Sequence, residues 1–375
     1  MAAARSLVNP TSNPALERAL RDKLQRRQEA GGALGELEPL AIRIGLMQNT
    51  LKPRLREPQL MVFAADHGVA VDGVDTSGVA NRSTRETVRK LITNQLPLTA
   101  FARAQQMSVT IVDCGMADDP PVHDRLLLRK IAHGTRNTRV AMAMTLEQAH
   151  AAMRAGMEIG DKLRGNATVL AGVGVGAHES ASLVLARLTD SALRDLVISG
   201  PDMDTGRLTH LMAVLMAAMA RHRDITEPVE VLAAFGGFEV AVMVGVMLMA
   251  ASKRHLLMID GVPACAALMV AARIAPAVTD YCVFCRSHQH RGLDQALGLF
   301  SASALLEIGM EATDGTGATL AWPLVRSAAA LLSDVADGED NGVSVPDALD
   351  GEPEPFTAEP HEEIEMSSIF GPRLY

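Results

Sequence analysis

The feature of this sequence best suited to chemistry is a carboxylate set among small residues. In EATDGTGATLAWP (Glu311 to Pro323), Asp314 stands before a Gly315-Thr316-Gly317 turn, and the apolar segment Ala318 to Ala336 reads as a buried helix. Small neighbours let a flat molecule approach a carboxylate, and a helix N-terminus favours negative charge beside it. Asp314 can therefore be a catalytic carboxylate, or it can be the N-cap of the helix, a position Asp fills well.

Three other stretches have the same character. The apolar run QLMVFAA closes on Asp66-His67-Gly68, a buried strand entering a loop that could hold a ligand or simply bond its own backbone. AGVGVGA places Gly172, Gly174 and Gly176 between a strand and a helix, where bare backbone N–H groups make a phosphate seat and where close packing also favours glycine. LLMID ends on Asp260-Gly261. Cys282, Cys285, His288 and His290 form a C-x2-C-x2-H-x-H cluster. On a strand, however, Cys282 and Cys285 point to opposite faces, so no metal is expected there.

These stretches need a scaffold of strands followed by helices. QLMVFAA, MSVTIVDCG, ATVLAGV, VEVLAAF, LLMID and YCVFC read as strand material, several ending in Asp plus Gly, with helical patterns between them. Strands alternating with helices predict an α/β fold with a parallel, Rossmann-like sheet covered on both faces. Ligands in such sheets bind beyond the carboxyl ends of the strands, where Asp66 and His67 fall. Residues 14–52 read as helical.

Composition narrows the function classes. The 375 residues are 48% apolar but only 3% aromatic, with 20 Met and 30 Gly, which favours tightly packed aliphatic helices on a sheet over a β-sandwich. The longest apolar run, Val240 to Ala251, is shorter than the roughly 20 residues a membrane span needs. With no secretory h-region at the N-terminus, a cytoplasmic location is expected. The net charge is −9, but residues 337–375 carry 11 Asp/Glu against one basic residue, so the body is nearly neutral and has no basic field for nucleic acid. That acidic tail reads as solvated.

The chain resembles the nicotinate-nucleotide:dimethylbenzimidazole phosphoribosyltransferases from about Leu34 to Val335. The likeness rests on LGELEPLA, FAADHGV, HGTRN, GVGVG, GGFEVA, IDGVPACAAL, His290 ahead of LGL, and DGTGATLAWPL, in that order. The resemblance implies a Rossmann-like domain over residues 59–300. It also implies a smaller helical domain built from residues 1–58 and 301–336, an acidic tail over 337–375, and a homodimer. The implied reaction is attack by a ring nitrogen of an aromatic azole base on C1′ of nicotinate mononucleotide, with nicotinate leaving and no cofactor or metal required. Asp314 matches the family's catalytic glutamate. Substrate contacts are implied at Asp66, His67, Gly68, Glu86, Gly174, Gly176, Ser180, Gly236, Gly237, Asp260, Gly261, His290, Gly315 and Gly317.

The departures bear on the function. Gly172 stands where the family carries Glu, Ala177 where it carries Asn, and Glu86 where it carries Gln; NQLPLT (Asn94 to Thr99) and CVFCRSHQ also replace segments of the family's pattern. Asp314 reaches roughly 1.5 Å less than Glu. These changes fit a transferase with altered base preference. They also fit a non-catalytic paralogue that serves as a binding subunit or heterodimer partner. An NAD-dependent oxidoreductase is disfavoured, because the first strand–loop lacks G-x-G-x-x-G.

Overall fold

The computed structural model of the chain describes residues 7–74, 83–120, 122–197, 204–289 and 291–335. The acidic tail and His290 lie outside them. Helices α1 (Pro14–Gly31) and α2 (Leu37–Gln48) precede β1 (Gln59–Ala65), followed by α3 (Thr84–Ile92), α4 (Pro97–Ala104), β2 (Ser108–Gly115) and β3 (Leu126–Leu128). Next come α5 (Leu146–Asp161), β4 (Ala167–Val173), α6 (Ala177–Thr189), α7 (Leu193–Leu196), α8 (Thr205–Arg221), α9 (Pro228–Phe235) and α10 (Phe238–Ser252). The remainder is β5 (Leu256–Asp260), α11 (Val262–Ile274), β6 (Cys282–Cys285), α12 (Arg291–Gly298) and α13 (Thr316–Ser333).

The six strands among the described residues form one parallel sheet in the order β3-β2-β1-β4-β5-β6. The α/β, Rossmann-like expectation is borne out. Every residue of β4 and β5 is buried, as expected where helices cover both faces. The order reverses between β1 and β4, which makes the crevice beyond their carboxyl ends the natural ligand site of such a sheet.

Two sequence expectations are corrected. VEVLAAF is helix α9, not a strand; Pro228 stands at its first turn, and Val231 to Phe235 are all buried, so no period of two could show. The edge strand β3, three residues long, has no counterpart among the expected strands.

Helix α10 is apolar all round because it is central, packing on α5, α11 and the sheet. Glycines set its closest approach: a Cβ on Gly245 would lie 2.0 Å from the Met153 carbonyl oxygen, and one on Gly156 2.0 Å from that of Val242. Capping fixes other boundaries, notably the reciprocal Thr145–Gln148 pair that starts α5. From the two ends of the described chain, α13 packs against α2 and α1. No described helix is long and apolar enough to cross a membrane.

Candidate active site

The ends of β4, β5 and β6 converge on Asp314, which is 3% exposed. His178, in the first turn of α6, donates from Nε2 to Asp314 Oδ2 at 2.9 Å. His288, three residues beyond β6, donates from Nε2 to Oδ1 at 2.8 Å. The two rings meet edge to face with centroids 5.7 Å apart. Burial alone would raise the Asp314 carboxyl; the two imidazoles overcome it and hold the group ionised, below the usual carboxylate range.

His288 Nδ1 in turn faces Glu311 Oε2 at 3.4 Å. Burial works against its charge, but Asp314, then Asp260 and Glu311, raise this ring to about 9. With a carboxylate at each nitrogen, His288 is an imidazolium at neutral pH.

Asp314 does not cap α13. The N-cap of that helix is Gly315, left-handed at φ +90°, with no side-chain cap. The capping anion is Asp260 at the end of β5, whose Oδ2 accepts from the Ala318 amide at 2.8 Å and from Ser287 Oγ at 2.7 Å. Its Oδ1 is buried without a hydrogen-bond partner among the described residues. Burial first, and then Asp314, push the Asp260 carboxyl up to about 6.

Glycines make the convergence possible. Gly261 has φ +98°, and a Cβ there would come 2.3 Å from Asp314 Cγ. At Gly317 a Cβ would lie 2.1 Å from the Arg286 carbonyl oxygen. Both positions let backbone run against backbone or carboxylate where no side chain fits.

A second polar group lies at the ends of β1 and β4. His67 faces the Val175 carbonyl with Nδ1 and Glu239 Oε1 with Nε2, each at 3.0 Å, an arrangement that favours the protonated ring. Burial opposes that charge, and Glu239 outweighs it. Asp66 accepts from Thr84 Oγ1 and, at 2.7 Å, from the Ala117 amide, so its carboxylate organises the loops. Gly68 abuts Arg136, Gly174 abuts the Ala65 carbonyl, and Gly176 (φ +83°) lies over His67. Gly236 and Gly237 join α9 to α10, with Gly237 against His67 and Glu239.

Other anticipated contacts are engaged elsewhere. Ser180 donates to the Phe235 carbonyl at 2.6 Å. Glu86, on an exposed face of α3, pairs with Arg89 at 2.8 Å. Sequence reasoning missed His178 and Glu239 and treated His288 only as part of a cysteine cluster. The available signal was a histidine directly after the glycine loop.

A ligand atom from each of His178, His288 and Asp314 lies within 4.8 Å of the others, so these residues could hold a metal ion. Cys282 and Cys285 are not suited to one: burial pushes the Cys282 thiol up to about 12 and the Cys285 thiol well above its ordinary value, disfavouring thiolate.

A family model described as "Phosphoribosyltransferase" matches residues 9–343. The nicotinate-nucleotide–dimethylbenzimidazole phosphoribosyltransferase of Cupriavidus taiwanensis is 40% identical over 338 residues, covering 88% of this chain and 97% of that protein. The chain belongs to the nicotinate-nucleotide–dimethylbenzimidazole phosphoribosyltransferase family. The correspondingly named protein of Dechloromonas aromatica is 39% identical over 335 residues, covering 88% of this chain and 96% of that one. The crystal structure of the Thermus thermophilus phosphoribosyltransferase of this name matches with a TM-score of 0.80 at 29% identity. The match covers 89% of this chain and 100% of that one. The expected phosphoribosyltransferase class is thus borne out.

Within this family, the departure at Gly172 has a steric basis. A Cβ there would come 2.6 Å from Pro263 Cβ, so α11 occupies the space where the resemblance places a glutamate. Another departure, Ala177, opens α6 directly before His178.

Proposed function

We propose that this chain transfers the phosphoribosyl group of nicotinate mononucleotide to an aromatic azole base such as 5,6-dimethylbenzimidazole. The products are an α-ribazole phosphate and nicotinate, a step of cobalamin nucleotide-loop synthesis. The observation that carries this reading is the ionised Asp314 flanked by two imidazoles at the carboxyl edge of the sheet.

The chemistry asks little beyond positioning and proton removal. A pyridinium is a good leaving group, so attack of the azole nitrogen on C1′ can displace nicotinate directly, without a covalent enzyme intermediate. The protein holds two flat rings in line and excludes water. The glycines at 174 and 176, with the first turn of α6, offer backbone N–H groups to the phosphate. The attacking azole must lose its N–H proton, and the His178–Asp314–His288 array is the acid–base group at hand. On this reading Asp314 belongs to the catalytic machinery.

The test supplies purified protein with nicotinate mononucleotide and a panel of benzimidazoles, purines and phenols, and monitors nicotinate release. Release with at least one base is expected, as is a fall of about 10²–10⁴-fold for Asp314→Asn. No release with any base would refute the transferase reading. We also place the enzyme in the cytoplasm as a homodimer. Sedimentation tests the homodimer.

A further inference from the structure

We propose that His178, His288 and Asp314 form a binding site for a divalent transition metal of the zinc class. The geometry is the starting point. Nε2 of His178 lies 2.9 Å from one oxygen of the Asp314 carboxylate, and Nε2 of His288 lies 2.8 Å from the other. One ligand atom from each of the three residues falls within 4.8 Å of the others. Neighbouring ligands about 2.0–2.1 Å from a common ion, at angles of about 90–110°, are about 3.0–3.4 Å apart. The two nitrogen–oxygen contacts therefore need to open by only about 0.1–0.6 Å to admit an ion.

Two imidazoles and a carboxylate are a donor set that zinc takes in sites keeping a further position for water or a ligand. Here they come from the first turn of α6, the segment after β6 and the turn before α13, so the tertiary fold builds the site. His288 supplies an independent sign. Its Nδ1 faces Glu311 Oε2 at 3.4 Å, and Glu311 Oε1 accepts from the Gln289 amide at 2.9 Å. A held carboxylate behind the far nitrogen is the support by which metal-bound histidines keep their tautomer and ring orientation.

The charges agree. Asp260 is bonded to Ser287, beside His288, and its Oδ1 is buried with no hydrogen-bond partner among the described residues. Three carboxylates thus gather around two imidazoles, while the guanidinium of Arg286 is committed to Asp294 and Glu307. A divalent cation relieves that excess of negative charge.

The ion takes imidazole lone pairs in place of the protons that Asp314 otherwise accepts, and those protons pass to solvent. Both imidazoles keep some exposure, 18% and 17%, which gives a hydrated ion access to them. One consequence rests on the transferase reading above. An ion and the azole proton compete for the same group, so zinc inhibits nicotinate release.

The test titrates the chelator-stripped full chain with zinc chloride by calorimetry, and with cobalt(II) followed by its visible absorption. Wild type is expected to bind one ion per chain. His178→Gln and His288→Gln, once circular dichroism has shown them folded, should each weaken zinc binding by more than about 100-fold, and Glu311→Gln by about 10–100-fold. Cys285→Ala should bind within about threefold of wild type, which separates this site from the cysteine pair. With active protein, zinc should suppress nicotinate release and a chelator should restore it.

The proposal is overturned if wild type binds no zinc. It is also overturned if both histidine variants bind zinc within about threefold of wild type, which would mark an adventitious ion elsewhere. Zinc held at this site with unchanged turnover overturns the inhibition. Wild type that is inactive with every base refutes the transferase reading, and the calorimetric result still decides the metal site.

Discussion

His67 and Glu239 form a buried ion pair, Nε2 to Oε1 at 3.0 Å, with side chains 1% and 0% exposed. It ties the end of β1 to the first turn of α10, two elements 172 residues apart in the chain. Removing one partner strands a charge in the core. His67→Leu should therefore cost about 3–5 kcal/mol, and His67→Leu with Glu239→Leu should recover much of that. Urea unfolding at neutral pH measures both. Folding raises the pKa of His67, so its contribution is complete below the unfolded value of about 6.5 and is lost as pH rises through the folded one. The stability gap between wild type and the double variant should change in that direction.

His288 predicts a pH dependence at the site itself. Its ring is raised to about 9 against roughly 6.5 unfolded, so the stabilisation is full below about pH 6.5 and disappears as pH rises through 9. His288→Asn should cost about 2–3 kcal/mol at pH 6 and much less at pH 10. Asp314 has the opposite sign. Its depressed pKa gives stability present above about pH 4 and lost as pH falls through the folded value. Thermal melts across pH, wild type against variant, read both slopes.

Asp260 is a carboxylate the fold tolerates at a cost. Burial and Asp314 raise it to about 6, so in ionised form above that pH it destabilises, and the penalty vanishes as pH falls below about 4. Asp260→Asn keeps an oxygen for Ser287 and the Ala318 amide, and its NH2 replaces the unpartnered Oδ1. The variant should be more stable than wild type by about 1–2 kcal/mol at pH 8, with no gain at pH 4. A loss at pH 8 would show that the charge at the start of α13 matters more than its desolvation.

Gly245 sets how closely α10 meets α5. A methyl there would sit 2.0 Å from the Met153 carbonyl oxygen, a backbone atom that cannot turn aside. Gly245→Ala should destabilise by about 1–3 kcal/mol in a urea titration. Turnover at a temperature well below the melt should stay within about twofold, because the contact is remote from the strand ends.

Local chemistry makes much of this protein legible. Strands β1 and β4 can be read because a strand buried on both faces is a continuous apolar run. The DGTG turn points to the candidate site, since Gly315 sits at φ +90° and a Cβ on Gly317 would strike the Arg286 carbonyl oxygen. Helix α9 reads as a strand because a short segment buried on nearly every side has no period to distinguish the two. Whether Asp314 caps α13 or serves the site was a tertiary decision. His178 and His288 are 110 residues apart, and only the sheet order brings both nitrogens to one carboxylate while Asp260 takes over the cap. Sequence by itself determined β1, β2, β4, β5 and β6 and the glycine turns, because these depend on local backbone preferences and apolar pattern. The partners of Asp314, and therefore its charge state, were decided by distance in space, which sequence spacing does not encode.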